Sequence, residues 1–126
     1  MTIDFSKIPL SKCTIANGFI FVSGQLGLSK QGTLVAGGIA EQTRQAIKNI
    51  EVVLKDNDCN LHQVIKTTIW LTDGADFAEF NTTYEECFGP PPFSARSTVI
   101  SSLLIPGARV EIEAIAFLGL GSGLIS

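Results

Sequence analysis

Apolar and polar positions repeat along the chain with two different periods, which predict two kinds of element. Residues 39–55 place apolar side chains on one face and charged side chains on the other at helical spacing, so they predict an amphipathic helix. An aromatic stripe with the same spacing predicts a second helix: Phe77, Phe80, Tyr84 and Phe88. Either Asp73 or Asp76 can cap this helix, and Gly89 with the prolines after it ends it.

Short runs rich in β-branched and aromatic residues predict the strands of a sheet. They cover residues 19–22, 64–72, 94–100 and 109–118, and Asn17-Gly18 predicts a hairpin turn leading into the first of them. The order is then two strands, helix, strand, helix, two strands. This order is typical of an α+β domain in which both helices cover one face of a mixed sheet.

The chain length fits one domain with one core. At 126 residues, without an internal repeat or a linker, there is no room for a second domain. We predict a single domain over residues 1–118 and a flexible tail containing glycine and serine over residues 119–126. With 45% hydrophobic and 17% charged residues, the composition excludes a disordered chain.

The charge of the chain and its lack of targeting signals limit which classes of binding partner are expected. Nine basic residues against twelve acidic ones give a net charge of −3, and the only cations after Lys66 are Arg96 and Arg109. A nucleic-acid partner is therefore not expected, because such binders rely on basic surfaces. The apolar runs are too short for a membrane helix, and the first residues lack a secretory signal, so we expect a cytoplasmic protein with no membrane partner.

Cysteine and histidine content limits the possible catalytic groups. The three cysteines are odd in number and far apart in sequence, which favours reduced core residues over disulfides or a metal site. The single histidine, His62, lies in a polar connection and is expected to be solvated. Serine-histidine and cysteine-histidine catalysis therefore have little support.

The last strand offers a different candidate for chemistry. Alternation places Glu111 and Glu113 on one face of it, and Arg96 lies on the preceding strand. Two carboxylates near an arginine form a possible acid/base and anion-binding constellation, although surface strands often carry glutamate without a functional role. Arg96 itself, in a segment otherwise free of charge, either pairs with an internal carboxylate or binds one from a ligand.

Several separate motifs, in one order, resemble the RidA (YjgF, endoribonuclease L-PSP) family. They are Ser23-Gly24-Gln25, Lys66-Thr67-Thr68, Phe80-Asn81-Thr82-Thr83-Tyr84-Glu85, Ala95-Arg96-Ser97-Thr98 and Val110-Glu111-Ile112-Glu113-Ala114-Ile115-Ala116. The resemblance runs in register from about Pro9 to Ala116. It implies a chorismate-mutase-like α+β fold, assembled as a homotrimeric barrel with pockets in the clefts between subunits.

The resemblance also implies an activity and a set of roles. Members of the family hydrolyse reactive enamines and imines, released by pyridoxal-phosphate enzymes, to 2-oxo acids and ammonia, and they need no metal or organic cofactor. Arg96 is then expected to bind the substrate carboxylate, and Glu111 to hold or activate the water. The remaining pocket residues, carried over by position, are Ser23, Gly24, Asn81 and Thr98.

The sequence departs from the family pattern at the predicted pocket. Leu10 stands where the family has a pocket tyrosine, Thr98 where many relatives have cysteine, and Ser94 where they have proline. The leading hypothesis is an imine deaminase. The alternative, favoured by Leu10, is a non-catalytic protein that binds small 2-oxo acids in the same pocket. The acidic charge balance and the lone His62 weigh against a ribonuclease.

Overall fold

A single five-stranded sheet with two helices on one face organises the chain. The computed structural model describes residues 2–120. Its strands are β1 (Cys13–Ala16), β2 (Phe19–Leu26), β3 (Val64–Leu71), β4 (Ala95–Ile100) and β5 (Val110–Phe117), and its helices are α1 (Ile39–Lys55) and α2 (Phe77–Phe88). The strand order in the sheet is β1-β2-β5-β3-β4, with only the β3–β4 pair parallel. The predicted α+β class and the element order are confirmed.

The first two strands form the predicted hairpin, but β2 is longer than expected. Asn17 and Gly18 both have positive φ, of 51° and 83°, as a tight hairpin turn between twisted strands requires. The sequence predicts that the strand ends at Val22, whereas β2 continues to Leu26. The strand continues because its register against β5 shifts between Val22 and Gln25, and this irregularity accommodates Ser23 and Gly24 inside the strand.

The capping of α2 differs from both predicted alternatives. Asp73 accepts a hydrogen bond from the Ala75 amide and caps a short 3-10 turn that precedes the helix. Asp76 occupies the N-cap position of α2, but its side chain makes no capping hydrogen bond. The reason is that both oxygens of its buried carboxylate bind Arg109, at 3.0 and 2.8 Å.

The two faces of the sheet have different surroundings. The helices cover one face, where Val110, Ile112, Ala114 and Ala116 of β5 are buried in the main core, as the alternation predicts. The other face has no helix over it and carries Glu111, Glu113 and partly exposed apolar side chains, among them Phe21 and Val99. Its partly exposed apolar side chains make the uncovered face a candidate interaction surface.

All three cysteines are free; Cys59 is buried, and the other two pack against the core. His62 is exposed. Gly119 and Leu120 belong to a 3-10 turn, and residues 121–126 of the predicted tail lie outside the described residues. Between Thr2 and Leu120, neither helix is long and apolar enough to span a bilayer.

Candidate functional site

Arg96 is held on an aromatic surface at the edge of the sheet. It lies on β4, and its side chain points to the helical side, where the guanidinium carbon is 5.0 Å from the ring centre of Tyr84 and 5.5 Å from that of Phe80. The Nη2 group donates a hydrogen bond to Asn81 Oδ1 at 2.9 Å. The aromatic rings and Asn81 therefore fix the plane of the guanidinium without neutralising its charge.

The charge of Arg96 is not paired within the described part of the chain. The two arginines after Lys66 differ in whether a carboxylate pairs with them. Arg109 forms a two-point ion pair with the buried Asp76. No carboxylate of residues 2–120 lies within ion-pair distance of Arg96. Of the two alternatives left open by the sequence, an internal partner is thus not observed. The guanidinium is free to bind an anionic ligand.

A cavity of about 450 Å³ lies in front of Arg96. It is lined by Asn81, Thr82, Tyr84, Glu85, Phe93, Ser94 and Arg96. The Tyr84 hydroxyl forms hydrogen bonds with Thr67 at 2.7 Å and with Ser94 at 3.4 Å. The sequence predicts Tyr84 only as a core residue. Tyr84 follows Asn81 by three positions, so both lie on one helix face. This spacing is the signal that indicates a place for Tyr84 in the pocket.

Glu111 lies against Gly24 on the uncovered face of the sheet. A Cβ atom at position 24 would overlap Glu111 Oε2, so glycine at this position lets the carboxylate lie directly against β2. Trp70 is the register partner of Glu111 on β3, and both line a cavity of about 210 Å³ together with residues 101–104. Burial raises the pKa of Glu111, and the nearby carboxylate of Glu113 raises it further.

Leu10 lies beside Ser23 and Gly24. These three residues line another cavity, also about 210 Å³, between the N-terminal segment, β2 and α1. The Ser23 hydroxyl donates to the Ser11 carbonyl at 2.6 Å, and the Ser23 amide donates to the Lys12 carbonyl at 3.0 Å. These bonds fasten the segment around Leu10 to β2.

The predicted residues form two separate groups in one chain. Arg96, Asn81 and Thr98 lie at the β4 edge, and Arg96 and Thr98 are in register with the buried Thr67 and Ile69. The other group, Leu10, Ser23, Gly24 and Glu111, lies around β2 and β5. The expected proximity of Arg96 to Glu111 and Glu113 is therefore wrong within one chain, because β3 separates the two strands and the side chains point to opposite faces.

The chain matches known proteins over nearly its whole length. Residues 5–118 match the Endoribonuclease L-PSP family. The human 2-iminobutanoate/2-iminopropanoate deaminase is 39% identical over 112 residues, which is 88% of this chain and 81% of the human protein.

Two solved structures share the fold. A Rid-family protein of unknown function from Yersinia pestis has a TM-score of 0.82 at 40% identity, covering 87% of this chain and 88% of that one. The YjgF protein of E. coli has a TM-score of 0.79 at 32% identity, covering 88% and 89%. With its fold, its motifs and its relatives in agreement, the chain belongs to the RidA/YjgF (endoribonuclease L-PSP) family.

Proposed function

We propose that this protein hydrolyses small 2-imino acids, and the enamines that tautomerise to them, to 2-oxo acids and ammonia. The observation that carries the proposal is Arg96, a fixed guanidinium without a carboxylate partner among residues 2–120, at a cavity large enough for a small acid. A planar two-point donor of this kind suits a carboxylate. The names of the relatives agree, since the human protein is a 2-iminobutanoate/2-iminopropanoate deaminase.

The reaction needs one positioned water and one group that exchanges protons. In the proposed mechanism Glu111 accepts a proton from water while the water oxygen bonds to C2 of the protonated imine, giving a carbinolamine. Glu111 then gives this proton to the nitrogen, the C2–N bond breaks with loss of ammonia, and the C2 hydroxyl returns a proton to Glu111 as the carbonyl forms. Because protonated imines are already reactive toward water, positioning and one acid/base group suffice for useful acceleration.

We further propose that the two groups of site residues meet between subunits of a homotrimer. Arg96 and Glu111 lie on opposite faces of the sheet in one chain, so a substrate that contacts both needs a second copy. The uncovered face and its neighbouring loop expose apolar side chains suited to burial in an interface, notably Phe21, Val99 and Leu104. Three free cysteines fit a reducing compartment such as the cytoplasm.

The activity is tested by generating the imine in place. An amino-acid oxidase acting on alanine, with catalase present, supplies 2-iminopropanoate, and semicarbazide traps the free imine as an ultraviolet-absorbing product. We expect the protein to lower the rate of trapping while oxygen consumption by the oxidase stays constant. An unchanged trapping rate with a folded protein contradicts the deaminase proposal.

Subunit complementation tests whether each site combines Arg96 of one chain with Glu111 of its neighbour. Arg96→Ala and Glu111→Gln chains, each inactive alone, are co-expressed with different tags and purified as mixed assemblies. If each site takes Arg96 from one chain and Glu111 from its neighbour, random assembly of equal amounts restores about one quarter of the sites in a cyclic trimer. The measurement is imine hydrolysis per chain, with the mass of the assembly checked by light scattering.

Two outcomes contradict the intersubunit site. A solution mass equal to one 13.4 kDa chain excludes the trimer directly. Mixed trimers without any recovered activity place Arg96 and Glu111 of one site in the same chain, since every chain in the mixture lacks one of the two groups.

Leu10→Tyr is expected to accelerate hydrolysis of 2-iminopropanoate about ten-fold. The phenol adds a hydrogen-bonding group beside Ser23 and Gly24, and one such bond in the transition state is worth roughly 1 to 3 kcal/mol. The comparison is made by the trapping assay, with Leu10→Phe as the control that adds a ring without a hydroxyl. If neither the wild type nor Leu10→Tyr is active while 2-oxo acids still bind, the binding-protein alternative replaces the enzyme.

A further inference from the structure

The cavity beside Leu10 has a lining with few free polar groups. Besides Leu10, its apolar walls are Phe5, Leu26, Leu28 and Val53. Asn49 also lines it, but its Nδ2 group donates to the carbonyls of Leu26 and Leu28 at 3.1 and 3.0 Å, and its Oδ1 accepts from Gln45. The Ser23 hydroxyl and the Gln25 amide nitrogen are likewise engaged with backbone carbonyls. Apart from Lys12, the charged residue of the lining, an occupant therefore meets mainly carbon.

A single residue, Gly24, lies between this cavity and Glu111, the residue proposed to act on water. Gly24 lines the cavity and also lies in contact with Glu111 on the uncovered face. A substrate with C2 near Glu111 therefore lies next to Gly24, which is one wall of this cavity. The volume, about 210 Å³, exceeds the roughly 150 Å³ of an apolar cavity that holds benzene.

The wall formed by the N-terminal segment is anchored. Asp4 caps the 3-10 turn Phe5–Lys7 by accepting from the Ser6 amide at 3.0 Å, and the Ile3 amide donates to the Gly32 carbonyl at 2.9 Å. The segment is therefore fixed to the rest of the chain before Phe5 by the Ile3–Gly32 bond and after it by the bonds from Ser23 to Ser11 and Lys12. Phe5 provides a wall for a ligand while remaining partly exposed itself.

We propose that this cavity is a side-chain subsite that selects 2-imino acids with apolar side chains of four to seven carbons, branched or aromatic. The proposal rests on the deaminase function above and deepens it by naming the substrate class. Leu10, which stands where the family has a pocket tyrosine, adds an apolar side chain to this lining. The reaction that supplies such substrates is the two-electron oxidation of the Cα–N bond of amino acids with large apolar side chains, by an oxidase or dehydrogenase.

The test compares long and short ligands by catalysis and by binding. Catalysis uses imines generated from leucine, alanine and glutamate, and binding uses the stable acids 4-methyl-2-oxopentanoate, 2-oxopropanoate and 2-oxopentanedioate in calorimetry. Because each buried methylene is worth a factor of about four, the three additional carbons of the leucine-derived acid should tighten binding by about 10- to 60-fold over 2-oxopropanoate.

Two variants that add the same charge distinguish an effect on the subsite from a general effect of an added carboxylate. Phe5 and Ile8 are similarly exposed, at 42% and 40%, but only Phe5 lines the cavity. Phe5→Asp is expected to reduce the ratio of long-ligand to short-ligand affinity about ten-fold, and Ile8→Asp to change it less than two-fold. Equal effects of the two variants, or no preference for the long acid, overturn the subsite.

The remaining outcomes separate the two proposals. Tightest binding of the dicarboxylate overturns the apolar subsite in favour of recognition by Lys12, the charged residue at this cavity. If no imine is hydrolysed but the long acid binds best and Phe5→Asp removes that preference, the deaminase function fails and the subsite stands. If alanine-derived imine is hydrolysed without any preference for the long ligand, the function stands and the subsite fails.

Discussion

Arg96→Ala is expected to abolish measurable imine hydrolysis and to weaken binding of 2-oxobutanoate by about 10- to 150-fold. A hydrogen bond to a charged group contributes roughly 1.5 to 3 kcal/mol, and no other cation lines this cavity. Arg96→Lys should rescue only part of the affinity, because an ammonium cannot reproduce the planar two-point contact. Calorimetry measures the affinity, and the trapping assay measures the rate.

The fold should survive this change. Arg96 has no carboxylate partner in the described chain, so its removal leaves no buried charge unpaired. Arg44→Ala is the matched control: it removes an equal charge from an exposed ion pair on α1 and should leave 2-oxobutanoate affinity unchanged. Unaltered affinity in a folded Arg96→Ala trimer means that Arg96 is structural and that the carboxylate binds elsewhere.

The helices and strands were predictable where the local pattern of apolar and polar residues determines their bounds. The predicted bounds of α1 are those observed, because one continuous amphipathic face is buried against the sheet. The register shift in β2 was not predictable, because no local signal distinguishes a strand end at Val22 from an irregularity that holds Ser23 and Gly24. The position of β5 between β2 and β3 is likewise set by contacts between residues far apart in sequence.

The site was predictable in its chemistry and not in its geometry. Arg96 was recognisable because it is the isolated charge of an apolar segment, and the structure leaves it unpaired among residues 2–120. Its separation from Glu111 depends on the strand order, which the sequence did not give. Tyr84 was missed because its helical spacing is equally typical of a core residue, and Tyr84 is in fact both buried and part of the cavity lining.

Glu111→Gln is expected to reduce the rate of imine hydrolysis by about 100-fold or more while leaving most of the affinity for 2-oxobutanoate. Glutamine keeps the shape beside Gly24 but cannot accept the proton of the attacking water, and acid/base catalysis by one group is worth roughly 10²- to 10⁴-fold. Separate measurement of rate and binding distinguishes this outcome from the loss of binding expected at Arg96. A rate close to that of the wild type removes Glu111 from the mechanism.

Glu113→Gln is the matched control on the same strand face, and it adds a pH readout. If ionised Glu111 acts as the base, wild-type activity should fall with acidification at a pH above the ordinary range of a glutamate, since burial and then Glu113 raise the pKa of Glu111. Removing the Glu113 charge should lower that pKa, so Glu113→Gln is expected to remain active and to lose activity at a lower pH than the wild type does. An unchanged pH profile contradicts the assignment.

The same raised pKa predicts the effect of Glu111→Gln on stability. Because the folded state favours the protonated carboxyl, the stability contributed by Glu111 is fully present below its unfolded-state pKa and is lost as the pH rises through the higher folded-state pKa. At neutral pH the ionised, partly buried carboxylate therefore opposes folding, and glutamine relieves this. Thermal unfolding should show Glu111→Gln more stable than the wild type at neutral pH, with the difference shrinking in acid. A variant that loses both rate and stability at neutral pH identifies Glu111 as a structural residue instead of the base.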